Sequence, residues 1–436
     1  MVTQARSSRR RAALLAATTC ALLVVSGTAV AAVAPSTGSG PDLAAQAWSV
    51  DLETLGPDDA GVRHADDGLR LAAAGSADDG GDDAAGADDA AGSPRPREAS
   101  GQLVADPVEL GSPATGVAAE IDATTPDGTS VLVDVRGRLA EEGPDSWTEW
   151  VPAGEPLPLA SATLQARVTL VGDSDVTPTV REVTLTPEVE RSRSLQEVEV
   201  QAKADGRAYK VYATREGLVG GTTANGHVIK KRDHFVALPS RRGLSAKNSG
   251  SYSVRVCAER TGRCAYAPVW DVGPWNTKDD HWNGSKKRES WDDLPRGLPQ
   301  AQAAYEDGYN KGKDGFGRKV ANPAGIDLGD GTFWDGLGLK DNAWTTVTYL
   351  WTGNGPKGVV RTSGRPLTVR SGPGTNHSAV GQAGRFTNVV IECTAKGSRV
   401  DGYYGVSRVW NRIGPGNWIS DAYVNTGSSG PAAPAC

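Results

Sequence analysis

After its first 25 residues, this 436-residue chain has no apolar run approaching the roughly 20 residues that a spanning helix needs. A permanent membrane anchor is therefore excluded as an expectation. Cysteine is scarce: five in all, and the only close pair, Cys257 and Cys264, is separated by six residues with no matching second pair, a spacing unlike a zinc site. Positive charge is not in excess, with 46 Lys and Arg against 52 Asp and Glu, a formal net charge of -6. A nucleic-acid binder would show a basic stripe, so that class is excluded too. There is no Gly-x-Ser-x-Gly motif and no Ser/His/Asp or Cys/His pattern, so a nucleophilic hydrolase finds no support. No cofactor or metal is implied.

What is present begins with Arg6, Arg9, Arg10 and Arg11, an apolar run from Ala12 to Val25, and the small residues Ala29-Val30-Ala31. A basic head, a short apolar segment and a small-x-small site predict a signal peptide over residues 1–31 and a secreted protein. Export removes Cys20 and leaves Cys257, Cys264, Cys393 and Cys436. An even count in an oxidising compartment points to two disulfides, and four cysteines allow three pairings. Cys257–Cys264 with Cys393–Cys436 keeps each bridge inside one domain and is the pairing expected.

Without residues 1–31 the net charge is -10, and -8 of that lies in residues 58–89, which hold ten aspartates. The acidity is local. Residues 32–100 read as an acidic low-complexity linker, most plainly GSADDGGDDAAGADDAAGSPRPREA at 75–99, which has too little apolar surface to offset its ordering entropy.

The rest reads as mostly β. In ATLQARVTL, Leu164, Ala166, Val168 and Leu170 share one face and Thr163, Gln165, Arg167 and Thr169 the other. SVLVDVRGR repeats the period-2 pattern, and together they predict a β-sandwich over 101–190. Trp147 and Trp150 in this stretch suit either core packing or sugar stacking. Seven of the 12 tryptophans fall between 209 and 353. There YKVYAT, HFVALP, YSVRVCA, YAPVWDV and WTTVTYLW read as strands and LPQAQAAYEDGYNKG as a helix. A short all-β domain occupies 358–436.

Three pieces in order give the middle region, 195–353, a resemblance to the double-psi β-barrel family, which includes rare lipoprotein A, barwin and the expansins. Thr223-Ala224-Asn225-Gly226 resembles the family's Thr-Ala-Ser-Gly turn. Asp271, Gly273 and Pro274 in VWDVGPWN resemble its Asp-x-Gly-Pro. GIDLGDGTFWDGLGL resembles its Ile-Asp-Leu-Ser with a short helix after it. In wall-cleaving relatives an aspartate placed like Asp271 is the general acid and base, and Asp327 is expected at the same rim, where two carboxylates raise one another's pKa. The resemblance implies a sugar groove, for which Thr223, His227, Trp275, His281, Trp282 and Trp334 are the candidates. Departures weigh toward binding: Val272 stands where wall-cleaving members carry arginine, Pro239 where they carry histidine, and residues 277–322 are a long insertion.

Residues LTVRSGPGTNHSAVG and NWISDAYV resemble the bacterial SH3-like modules of secreted wall hydrolases, which implies docking on peptidoglycan. The expected architecture is thus a β-sandwich, a double-psi β-barrel and an SH3-like barrel in series. The expected role is binding of peptidoglycan or a related wall polysaccharide, with remodelling of it as an added activity. The alternative is a lytic transglycosylase using Asp271, and a third class is an inhibitor or adaptor of another wall enzyme.

Overall fold

A computed structural model of the chain describes residues 46–72, 99–139, 146–172, 176–189 and 206–436. The leader and nearly all of the 75–99 stretch lie outside these residues. Among the described residues no helix is long and apolar enough to cross a membrane.

The N-terminal part is one nine-stranded sheet. Its strands are β1 (Trp48–Ser49), β2 (Val62–Ala65), β3 (Gly68–Leu71), β4 (Ala99–Val104), β5 (Val108–Thr124), β6 (Ser130–Gly137), β7 (Val151–Pro152), β8 (Pro156–Gly172) and β9 (Thr179–Glu188). The order is β2-β3-β9-β5-β8-β6-β7, with β1 on β9 and β4 on β8. Leu164, Ala166, Val168 and Leu170 enter one apolar core with Leu69, Val135 and Val183, as their alternation predicts. Residues 46–72, placed in the linker from composition, instead supply three strands; Val62, Leu69 and Leu71 are buried in the same core. The short apolar positions between the aspartates carry that information, and net charge conceals it.

Next comes a closed barrel of six strands: β10 (Arg207–Arg215), β11 (Val236–Leu238), β12 (Ser253–Ala258), β13 (Arg263–Val272), β14 (Ala324–Leu328) and β15 (Ala343–Tyr349). The order β11-β14-β10-β15-β12-β13 closes through β11 on β13. Two of the six pairings, β10 with β14 and β11 with β13, are parallel. Val211, Ala213, Val236, Leu238, Val254, Val256, Ile326 and Val347 fill the interior, every second residue along each strand. The expected helix is α1 (Gln300–Asp307), inside the insertion between β13 and β14.

Sheet and barrel interlock through the segment SWTEW, 146–150. Trp150 belongs to the barrel's own core cluster. Glu149 Oε1 accepts from the indole N–H of Trp282 at 3.0 Å and of Trp351 at 2.7 Å, while its Oε2 accepts from Asn283 Nδ2 at 2.6 Å. Tyr252 of the barrel donates its hydroxyl to Thr148 O at 2.7 Å. Hence the polar face of β8 is buried as well: Gln165, Arg167 and Thr169 lie against a protein neighbour, not water. Arg167 pairs with Asp134 at 2.8 Å, donates to Arg241 O at 3.1 Å, and stacks 4.7 Å from the Trp150 ring.

The C-terminal strands are β16 (Lys357–Val360), β17 (Leu367–Arg370), β18 (Ala379–Ala383), β19 (Asn388–Val390), β20 (Cys393–Gly402), β21 (Gly405–Gly414), β22 (Asn417–Ser420) and β23 (Val424–Asn425). They are joined to the barrel by more than a tether. β18 pairs in parallel with β13, with Cys264 opposite Gly381, and the module's core cluster includes Tyr266 and Leu350 of the barrel. A Cβ added at Gly381 would lie 1.7 Å from Cys264 O, so this contact requires glycine. Cys257 bonds Cys264 across the β12–β13 hairpin, and Cys393 bonds Cys436, the pairing expected from sequence.

Two outcomes follow from these junctions. Glu149→Ala leaves the two indole N–H groups without their acceptor, while Asn283 keeps Asp280, and should lower stability by roughly 3 kcal/mol, at about 1–3 kcal/mol per buried unpaired group; an unchanged denaturant midpoint would refute the interlock. His234 is buried next to Gly384 at the module boundary, and burial lowers its pKa to about 4, with Asp335 and Asp233 opposing. A folded pKa below the free value of about 6.5 means the unfolded chain binds the proton more readily, so this stability is present above pH 6.5 and is lost as pH falls toward 4. The melting-temperature advantage of the wild type over His234→Gln should therefore shrink from pH 7 to pH 4; a constant gap would contradict it.

Candidate functional site

The barrel brings the two candidate carboxylates into one row. Strand β11 lies between β13 and β14, and Ala237 is in register with Asp271 on one side and Asp327 on the other. With strands about 4.8 Å apart, the two aspartate Cα atoms stand about 10 Å from each other. Thr214 on β10 extends the row and donates its hydroxyl to Asp327 Oδ1. Both aspartates are buried, at 2% and 4% exposure.

Asp271 is engaged by backbone. Its Oδ1 accepts from Ala224 N at 2.9 Å and from Val272 N at 2.7 Å. These charge-assisted bonds fasten the turn that holds Thr223 and Asn225 to the end of β13. Inside the turn Thr223 donates its hydroxyl to Asn225 Oδ1 at 2.8 Å, and Asn225 donates its amide to Ser245 O at 3.2 Å. His227, just after the turn, meets Asp233 Oδ2 at 2.7 Å, and its ring lies 4.6 Å from that of Trp270. The pair is half-buried and is the most accessible of the candidate groups near Asp271.

The aromatic candidates are placed otherwise than a sugar platform requires. Trp275 is buried in a small core with Ala301, Ala304, Val320 and Ala324, and its indole donates to Asn322 Oδ1 at 3.0 Å. Trp282 is fully buried, stacked on Tyr349 at 5.1 Å. His281 is also fully buried, 2.7 Å from the Tyr349 hydroxyl, and burial pushes its pKa down to about 3, so the ring is neutral. Trp334 is half-buried, and its ring is engaged by Arg215 at 4.4 Å and Arg232 at 4.6 Å. Those arginines pair with Asp330 and Asp335. Trp147 is also inside, 4.6 Å from the Arg136 guanidinium. Among the described residues no group of three or more His, Cys, Asp or Glu is arranged to hold a metal ion.

The residues that sequence reasoning passed over are the partners. Thr214 has a signal in the period-2 pattern of YKVYATR, which fixes its face. Arg215 and Arg232 have none, because their partners Asp330 and Asp335 are more than a hundred residues away in sequence; Asp233 is only six residues from His227, but nothing in the pattern marks that pair.

Residues 207–348, which span the barrel and its insertion, match a family described as Domain of unknown function (DUF8814). The uncharacterized protein YraI of Bacillus subtilis (strain 168) is 40% identical over 87 residues, covering 18% of this chain and 72% of the relative. The uncharacterized protein YraJ of the same organism is 40% identical over 86 residues, covering 18% and 73%. Through that segment the chain belongs to the family of these two Bacillus subtilis proteins.

Proposed function

We propose that this is a secreted, cell-wall-associated protein that binds peptidoglycan or a related wall glycan, on a double-psi β-barrel with an SH3-like C-terminal module. The barrel reading draws support from six strands closed with two parallel pairings and from the order of the three motifs along it. The observation that carries binding ahead of catalysis is the state of Asp271. At 2% exposure, with Oδ1 already accepting two backbone N–H groups, it ties a turn to a strand end. A general acid has to reach the glycosidic oxygen to within hydrogen-bond distance.

The second reading, a lytic transglycosylase using Asp271, is favoured by one feature: Asp271 and Asp327 flank Ala237 in a single row. In that chemistry one carboxyl protonates the leaving oxygen and then takes a proton from the attacking sugar hydroxyl. An adaptor for another wall enzyme would bind neither way.

Incubation of the mature protein with purified sacculi separates these. We expect co-sedimentation without soluble anhydro-sugar fragments. Asp271→Asn should keep sacculus binding and melt earlier, by about 1 kcal/mol, because a neutral acceptor replaces a charged one at two backbone bonds. Fragment release by the wild type that falls about 100-fold or more in Asp271→Asn would establish the enzyme instead. Absence of co-sedimentation would sink the glycan reading.

A further inference from the structure

A second opening lies away from the Asp271 row. A cleft of about 570 Å³ separates the nine-stranded sheet from the insertion between β13 and β14. That volume falls within the roughly 300–1,000 Å³ of small-molecule sites, and such sites favour domain junctions. Trp291 and Phe316, both from the insertion, line it beside Asn276 and Lys278; across from them stand Ile121, Val131 and Val133 of the sheet.

The aromatic rings are held and partly open. Phe316 is 40% exposed, with the Arg318 guanidinium 5.0 Å from its ring on one side, and Trp291 is half-buried with its ring set edge-on to Tyr309 at 5.9 Å. Tyr309 is itself fixed by donating to Asp293 Oδ1 at 2.7 Å. Gly315, beside the Trp291 ring, is fixed by donating its N–H to Asn276 Oδ1 at 2.8 Å.

The lining of the cleft is polar, and Arg167 and Arg242 are held in ion pairs, while Arg241 and Lys278 add cationic side chains to it. Arg167 is paired with Asp134, and Arg242 with Glu155 at 2.9 Å, Asp280 at 3.3 Å and Glu289 at 3.6 Å. Yet Arg242 Nε is buried without a hydrogen-bond partner, since 3.6 Å to Glu289 is too long for one. An anionic ligand would meet Asp134 and Glu289, and a cationic one Arg167 and Arg242. A wholly apolar ligand would leave the Arg242 donor dry and unpaired. What suits the cleft is a neutral body with a flat apolar face for Trp291 and Phe316 and hydroxyl or amide groups, which both donate and accept, for Arg242 and Glu289. Glu289 is partly exposed, with a quarter of its side chain open to solvent, and as a carboxylate it accepts from hydroxyls.

We infer that this cleft is a saccharide site that takes a short, uncharged stretch of glycan, with Trp291 and Phe316 as its stacking faces and Arg242 and Glu289 as its hydrogen-bonding floor. The inference rests on the glycan-binding reading and assigns it a place. It also gives the insertion at 277–322 a role: it carries the aromatic wall.

The test is retention of the full-length mature protein on purified sacculi, with a soluble β-1,4-linked N-acetylglucosamine tetramer as competitor. Trp291→Ala and Phe316→Ala should each weaken retention by about tenfold, the equivalent of one lost aromatic contact. Trp291→Phe should recover part of it, which separates stacking from folding. Tetramer should displace the wild type, and retention should persist from low to high salt, as uncharged contacts are little screened. Unchanged retention of both alanine variants, failure of the tetramer to compete, or collapse of retention in salt would overturn the cleft while leaving wall binding intact. A wild type that sacculi do not retain would overturn both.

Discussion

The molecule depends on one carboxylate, Glu149, inserted between two folded regions. It accepts from two indoles and a carboxamide, all on the barrel side, while the adjacent Trp150 packs within the barrel core. Sheet and barrel therefore share an interior. The same contact fixes Trp282 and Trp351, which are set at right angles with centroids 5.6 Å apart. It also forces the polar face of β8 indoors, where Arg167, Asp134, Arg136 and Gln165 have to satisfy one another. Arg136 does so by donating Nε to Gln165 Oε1 at 2.9 Å while its guanidinium lies 4.3 Å from the Trp150 ring. Such groups cost several kcal/mol to bury unpaired, so they specify one docking geometry more than they add stability.

The C-terminal module repeats the principle with backbone instead of side chains. At Gly381 against Cys264 O, and at Gly250, where a Cβ would lie 1.8 Å from Phe386 O, the chains approach more closely than any side chain permits. Ser253, on β12, donates its hydroxyl to Gly250 O at 2.7 Å and accepts from Asn388 N at 3.0 Å, which ties that seam to β19. A chain cut after the barrel would expose Tyr266 and Leu350, so the module supports the barrel as well as extending it.

Period-2 alternation made most strands legible, because a strand with one buried face must write that face into every second residue. Val254 and Val256, or Leu164 through Leu170, needed no tertiary knowledge. The cysteine pairs were legible because only one of the three possible pairings keeps each bridge inside one expected domain. The second face of β8 was not: Thr163, Gln165, Arg167 and Thr169 look like a wetted row, and only the arrival of the barrel buries them. Trp275 and Trp282 were ambiguous for the opposite reason. A tryptophan announces a large apolar area but not whether a ligand or another strand covers it, and here Ala301 and Ala304 cover one and Tyr349 the other. Among the candidate site residues, the Asp271–Asp327 row was legible because both lie at strand ends that topology brings together, whereas the backbone partners of Asp271 were not.

The insertion at 277–322 has only a small apolar core, and polar residues do much to shape its wall. Asp279 accepts from Arg288 Nη2 at 2.5 Å and from Gln300 N at 2.7 Å; burial raises its pKa to about 6 even against the pull of Arg288. Asp280 accepts from Glu289 N at 2.7 Å and so sets the residue that lines the cleft. Asp314 accepts from Phe316 N at 3.0 Å and Arg318 N at 2.8 Å, and Arg318 donates to Trp275 O at 2.7 Å. Asp280 and Asp314 anchor the backbone where the two aromatic side chains emerge, near Trp291 and at Phe316, while Asp279 fastens the start of α1. Apolar packing is non-directional and would leave the rings free to settle inward. Carboxylates that bind particular backbone N–H groups fix direction, and that keeps the two rings at the cleft when burying them would remove more apolar surface from water.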